Sequence, residues 1–288
     1  MTKPNKTEII FVVDRSGSMA TIAAAMTDGI EEFINKQKAV PGECLVSLYD
    51  FDDRYEAKYV AQSLWTVPKY TLEPRGMTAL YDAIGKTVAT VGERLRKTPE
   101  AERPSQVLFV IVSDGGENSS REFQGELGRR RIFDMITHQR TKYSWEFIFL
   151  GANQDAYAIG TSLGVHASNS VSYTADAAHS KGMMSSLSAN VASYRGSGQG
   201  LKESLFDQAT YNAATGDNLG GNNPLGGGGV AGAVIPNLQV GTVDLTKLDP
   251  SLLSGLKTTC EPGGFPPGTV VTTTTIVPPV TPPDSTQS

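Results

Sequence analysis

The chain is poor in the residues that would staple a small fold or charge a special-purpose surface. Two cysteines, Cys44 and Cys260, stand far apart, with neither CxxC spacing nor the dense, even set of a disulfide framework. A disulfide-held fold and a thiolate metal centre are thereby excluded, and a reducing compartment is expected. Histidine is equally scarce: His138, His166 and His179 are scattered, with no ligand or relay spacing, and read as structural or exposed side chains. Basic charge is not in excess, since 25 Lys and Arg face 30 Asp and Glu for a formal net charge of −5. Nothing marks a phosphate-seeking surface, so no nucleic-acid partner is expected. The densest basic run, Arg129–Arg131, reads as the solvated face of a helix. No apolar run reaches the ~18–20 residues of a membrane span, and the polar opening Met1–Thr7 leads directly into a strand-like segment. Neither a membrane anchor nor a signal peptide is expected. The expected location is the cytoplasm, or a phage virion assembled there.

What the chain does have is alternation. Its 288 residues suffice for one large α/β domain with an extension. Glu8–Val13 is a continuous β-branched and aromatic run, as a strand covered on both faces requires. Residues 19–37 then repeat apolar side chains at helical spacing (Met19, Ile22, Met26, Ile30, Phe33, Ile34). Cys44–Phe51 reads as a strand, Asp52-Asp53 as a hairpin turn, and Arg54–Tyr59 as its antiparallel partner. Helices over Ala79–Lys97 and Arg121–His138 bracket a second buried strand, Gln106–Val112. Trp145–Leu150 is a third core strand, followed by a helix near Ala156–Leu163, a weak strand at Ser170–Tyr173 and a helix over about Ala175–Tyr194. The fold class expected is α/β: a Rossmann-like, doubly wound, mostly parallel six-stranded sheet with one antiparallel edge strand.

Past residue 196 the composition changes. Residues 201–288 hold 13 Gly and 10 Pro, and only 3 Lys/Arg against 7 Asp/Glu. This is not a second packed core. The expected organisation is a domain over 1–196, a connector over 197–215 with a short helical signal at Leu201–Ala214, and a Gly/Thr/Pro-rich extended tail over 216–288.

In an open parallel sheet, ligands bind at loops leaving the carboxyl ends of the strands. Three such loops are polar in a matched way: Asp14-Arg15-Ser16-Gly17-Ser18 after the first strand, Gly76-Met77-Thr78 before a helix, and Ser113-Asp114-Gly115-Gly116 after the second core strand. Two carboxylates and three hydroxyls form a hard-oxygen set suited to Mg²⁺, Mn²⁺ or Ca²⁺ and unsuited to zinc or copper. Alternate residues of a sharp loop turn their side chains the same way, so Ser16 and Ser18 can enter one cavity while Gly17 lets the backbone bend. Two carboxylates leave a Mg²⁺ nearly neutral and its octahedron incomplete; waters or an outside carboxylate must fill it at ~2.1 Å.

D-x-S-x-S, a distant G-x-T and S/T-D-G in that order resemble the metal-ion-dependent adhesion site of von Willebrand factor A domains. The resemblance covers roughly residues 7–195. It implies that Ser16, Ser18 and Thr78 touch the metal directly or nearly so, that Asp14 and Asp114 act partly through water, and that a partner's Asp or Glu takes the open position. The flanking text (DRSGSM, PRGMTALYDAIG, SDGGENSS, WEFIFLGANQDA) is most similar to stand-alone A domains of bacteria and their phages. Two further roles are compatible with that resemblance: a structural part of a phage particle or other assembly engaged through the tail, and a stress-response protein of the tellurite-resistance kind working beside an AAA⁺ ATPase.

Plainer roles exist for each residue. Asp14, Ser16, Ser18 and Thr78 are also good helix caps, and Asp114 a good turn residue before two glycines. The order of the three loops favours the metal set over those roles. Glu117 and Asn118 read as modulators of the site, as contacts for the partner, or as a solvated loop. The acidic group Asp50, Asp52 and Asp53 reads as hairpin-turn chemistry, and Asn153, Gln154 and Asp155 as the cap of the following helix. An enzyme is not expected: there is no G-x-S-x-G, no G-x-G-x-x-G after a strand and no G-x-x-x-x-G-K, and no His is placed to activate a serine.

Overall fold

The computed structural model describes residues 2–197. The connector and tail expected over 197–215 and 216–288 lie, but for Ser197, outside the described residues. Within them, six strands form one sheet: β1 (Lys3–Asp14), β2 (Glu43–Phe51), β3 (Tyr55–Ser63), β4 (Pro104–Ser113), β5 (Glu146–Ala152) and β6 (Ser170–Tyr173). Their order is β3-β2-β1-β4-β5-β6, and every neighbouring pair is parallel except β2–β3. Five helices alternate with them: α1 (Ala23–Lys38), α2 (Leu80–Lys97), α3 (Gly125–Tyr143), α4 (Ala156–Ser162) and α5 (Ala177–Ser197).

The unbroken apolar text of β1 has the cause its composition implied. Ile9, Phe11 and Val13 enter the core under α1 and α5, while Ile10 and Val12 enter the opposite core under α2 and α3. All five are fully buried, each contributing about 1.5–3 kcal/mol of transfer free energy. On the first face Met26, Ile30 and Phe33 of α1 meet Met183, Met184 and Leu187 of α5. There Gly29 lets the two helices close up, since a Cβ on it would stand 2.8 Å from Met184 Cγ.

β1 is flanked by β2 on one side and β4 on the other, so the chain leaves it in one direction and later returns in the other. That is the topological switch point of a doubly wound sheet, where the loops after β1 and β4 diverge and leave a crevice. Asp14 is the last residue of β1, and Asp114 directly follows β4.

Two helix starts differ from the periodicity. The stripe beginning at Met19 opens as a short 3-10 turn, Gly17–Thr21, and α1 proper begins at Ala23. The third helix begins at Gly125 rather than Arg121. Residues 121–123 instead give their backbone N–H groups to the carboxylate of Asp82, in the first turn of α2, at 2.9–3.0 Å.

Candidate metal centre

The loop after β1 is bent by Asp14 itself. Its Oδ1 accepts the backbone N–H of Ser16 at 2.7 Å, and its Oδ2 accepts the hydroxyl of Ser113 at 2.7 Å. Asp14 therefore ties the end of β1 to the end of β4. The turn brings the hydroxyls of Ser16 and Ser18 to 3.0 Å from each other, and Ser18 donates across to Asp114 Oδ1 at 2.7 Å. Thr78 reaches the same place from the second loop. Its Oγ1 lies 3.4 Å, and Ser18 Oγ 3.7 Å, from the point where a Cβ on Gly115 would stand. Asp14, Ser16, Ser18, Thr78 and Asp114 are thus brought together from three loops. Asp14, Ser16 and Thr78 are buried, Asp114 is half-buried and Ser18 is exposed, so the group opens to solvent on the Ser18–Asp114 side.

Each loop is held from behind. Gly76 adopts φ +70°, and a Cβ there would lie 2.5 Å from Asp53 Oδ1; its carbonyl accepts Gly17 N–H at 3.2 Å. Arg15, the first variable residue of D-x-S-x-S, is buried and inserts its guanidinium among Asp50 (3.1 Å), Asp52 (3.1 Å) and Glu56 (2.8 Å). Arg75 joins Asp52 at 2.7 Å, and its backbone N–H bonds Arg15 O at 2.7 Å. The acidic group at the hairpin thus does more than turn the chain. Asp52 Oδ1 accepts Arg54 N–H in a turn, but its other oxygen and Asp50 are committed to arginine. Burial raises Asp50 despite Arg15 and Lys58, whereas in Asp52 the bonds to Arg75 and Arg54 outweigh burial and lower it.

The third loop is fastened to α2. Asn118 Oδ1 accepts Thr78 N–H at 2.9 Å, and Asn118 N–H returns a bond to Thr78 O at 3.0 Å. Glu117 accepts Tyr81 N–H at 2.9 Å while also taking Ser119 and Ser120 N–H at 2.9 and 2.7 Å. These two residues position the Thr78 loop; they are neither a free solvated loop nor members of the donor group. Ser113 also belongs to the site through Asp14. It lay inside the S-D-G text, but its residue type alone said nothing of an inward hydrogen bond. Gln154 braces β4 through Ser113 O at 2.7 Å, Asp155 caps α4 through Ala158 N–H at 2.9 Å, and Asn153 receives Ala175 N–H at 2.8 Å. Of the basic run, Arg131 lies over the Phe123 ring and Arg129 bonds Glu126 and Ser162 O, so only part of it is a solvated face. His166 and His179 pair with Ser168 and Asp176, and His138 packs on Tyr143.

Electrostatically the group is short of positive charge. Burial pushes the Asp14 carboxyl from 3.8 up to about 6; the Ser113 and Ser16 bonds oppose the shift, and the neighbouring Asp114 adds to it. Burial also raises Asp114. Among the described residues no three His, Cys, Asp or Glu side chains cluster as a metal site. The candidate group is instead two carboxylates and three hydroxyls, an all-oxygen set that fits a hard divalent cation.

The sheet order and the single antiparallel edge are those of the von Willebrand factor A-type fold. No protein-family model matches the chain, and no curated protein does. Among solved structures it is similar to proximal thread matrix protein 1 from the mussel byssus, with zinc occupying its MIDAS motif: 15% identity, TM-score 0.49, over 67% of this chain and 47% of that one. It is similar to the ArnB paralog VWA2 of Sulfolobus acidocaldarius at 20% identity and TM-score 0.40, over 67% of this chain and 45% of that one. A von Willebrand factor type A protein of Catenulispora acidiphila aligns at 14% identity and TM-score 0.43, over 66% and 42%. The chain spans about half the length of the first of these structures.

Proposed function

We propose that the chain is a divalent-cation-dependent protein-binding module, in which Mg²⁺ held by Ser16, Ser18, Thr78, Asp14 and Asp114 bridges to a carboxylate of a partner. The observation that carries this reading is the convergence of hydroxyls and carboxylates from three loops at one solvent-facing point, with Ser18 Oγ 3.0 Å from Ser16 Oγ and 2.7 Å from Asp114 Oδ1. When bound, the cation supplies Lewis acidity toward an incoming anion. The chain's own part is to aim the oxygens and to leave one side open. Asp14, bonded at both oxygens and buried, sets the loop shape, while Ser18 and Asp114 lie at the surface where a partner arrives. Two carboxylates neutralise a divalent ion without excess, which leaves it able to attract an acidic side chain. The three histidines are engaged elsewhere, so none stands as the general base that hydrolysis would use, and the reading is of binding rather than turnover.

The test is affinity capture from lysate by the full chain in Mg²⁺, in EDTA, and after re-addition of Mg²⁺, Mn²⁺, Ca²⁺ or Zn²⁺, alongside Asp14→Ala and Asp114→Ala. Capture should vanish in EDTA, return with a hard cation, and be absent from both folded variants. Full-strength capture by the variants or in EDTA would remove the cation from the mechanism.

A further inference from the structure

Tyr173 closes β6, is 3% exposed, and its hydroxyl has no hydrogen-bond partner. The strand registers place it beside the metal loops. Tyr173 pairs with Ala152, and one row earlier Ser172, Gly151 and Ser113 lie in line across β6, β5 and β4. Asp114 is thus about one row beyond Ser113 and two strands from Tyr173. The strand between them carries only the small Ala152 at that level, on the same core face as the Tyr173 ring. The phenol is held up first by burial and then by the charges of Asp114 and Asp14, so both carboxylates lie within electrostatic reach. Of the four carboxylate oxygens, both of Asp14 and Oδ1 of Asp114 accept a hydrogen bond from Ser16, Ser113 or Ser18, whereas Asp114 Oδ2 accepts none from a side chain. A buried donor without an acceptor and an acceptor without a side-chain donor thus lie within electrostatic reach of each other.

We propose that Tyr173 is a positioning residue for the metal, its hydroxyl donating through one bridging water to Asp114 and fixing that carboxylate in the orientation the cation needs. The proposal rests on the metal-binding reading above. A water between two polar groups supplies nearly the enthalpy of a direct bond. Hydrogen bonds behind a ligand set its orientation, and their loss typically weakens metal binding by about 10–100-fold. Were Tyr173 only a space-filler under β5, phenylalanine would serve equally well.

The full chain and Tyr173→Phe are stripped of metal and titrated calorimetrically with Mg²⁺ alone and with Mn²⁺ alone; Asp114→Asn is the control. Y173F should bind either ion about tenfold more weakly than wild type. Its metal-free unfolding midpoint should stay close to that of wild type, because only one water-mediated bond is lost and the ring that fills the core is kept. Metal saturation should also perturb a tyrosine band in the ultraviolet difference spectrum of wild type that Y173F lacks. Wild-type affinity in Y173F overturns the proposal and leaves the metal reading standing. No saturation of wild type by either ion overturns the metal reading, and this proposal with it. Should Y173F fail to fold, the wild-type spectrum decides: no tyrosine perturbation on saturation overturns the proposal.

Discussion

Asp14 carries the largest charge problem in the donor group, and the sign of its effect on stability follows directly. Its folded pKa is about 6 against an ordinary 3.8, because burial disfavours the charged form more than the Ser113 and Ser16 bonds favour it. Between those two values the folded chain holds a proton that the unfolded chain has lost. Stability of the metal-free domain therefore falls as pH rises through that window and levels off above about 6. Two units correspond to about 3 kcal/mol. Asp114 is shifted in the same direction and adds to the slope. Urea unfolding in EDTA at pH 4.5 and pH 7 should show about two thirds of this loss, roughly 2 kcal/mol, for wild type, and Asp14→Asn should abolish most of it. An unchanged slope in the variant would show that the charge of Asp14 is compensated by something other than a cation. The same residue was plain in the sequence, since a strand ending in D-x-S-x-S announces its carboxylate. Ser113 and Tyr173 were not, because serine before Asp-Gly and tyrosine at the end of a weak strand are common, and only the fold shows the Ser113 bond to Asp14 and the row that Tyr173 occupies in the sheet.

At the scale of elements, the central strands β1, β4 and β5 were legible because each is covered on both faces and so reads as a largely unbroken apolar run. The helix starts were less so. Apolar periodicity says which face is buried; where the first turn begins depends on which groups take the free N–H donors. In the loop after β4 these are the side chains of Asp82 and Glu117, from opposite sides of one junction. Asp82, on α2, accepts three N–H groups of residues 121–123, while Glu117, in the loop, accepts Tyr81 N–H at the start of α2. The charge of Asp82 is stabilised by those bonds, which lower its pKa despite burial. Because Asn118 in the same loop holds Thr78, this reciprocal clasp sets the distance between the second and third metal loops. Asp82→Ala removes the shared acceptor and leaves its N–H donors to find water; a loss of about 2–4 kcal/mol is expected in chemical denaturation. Calorimetry at a temperature where the variant is folded should also show weaker Mg²⁺ binding. Lost stability with wild-type affinity would mean that the clasp holds α3 and not the site.

For the whole molecule, the two cores and the metal group have opposite characters. Both faces of the sheet are filled by large side chains with almost no exposure, and the carboxyl ends of β1 and β4 carry buried and half-buried acids short of positive charge. A rigid sheet is what allows loops from three places to hold oxygens a few ångströms apart without collapsing. Every residue of the donor group, and every residue bracing it, falls within the described 2–197. A chain cut after Ser197 is therefore expected to retain the cation response. A ligand that binds only the folded form stabilises it by about 2.7 kcal/mol at one hundred times its Kd. In a domain of this size each kcal/mol moves Tm by about 2–4 °C, so saturating Mg²⁺ should raise Tm by roughly 5–10 °C. Differential scanning calorimetry of the cut and full chains measures this directly, with Asp14→Ala, Asp114→Ala as a silent double variant. A shift confined to the full chain would place the cation's true ligands beyond residue 197. An equal shift in both would assign the response to the three loops at the switch point.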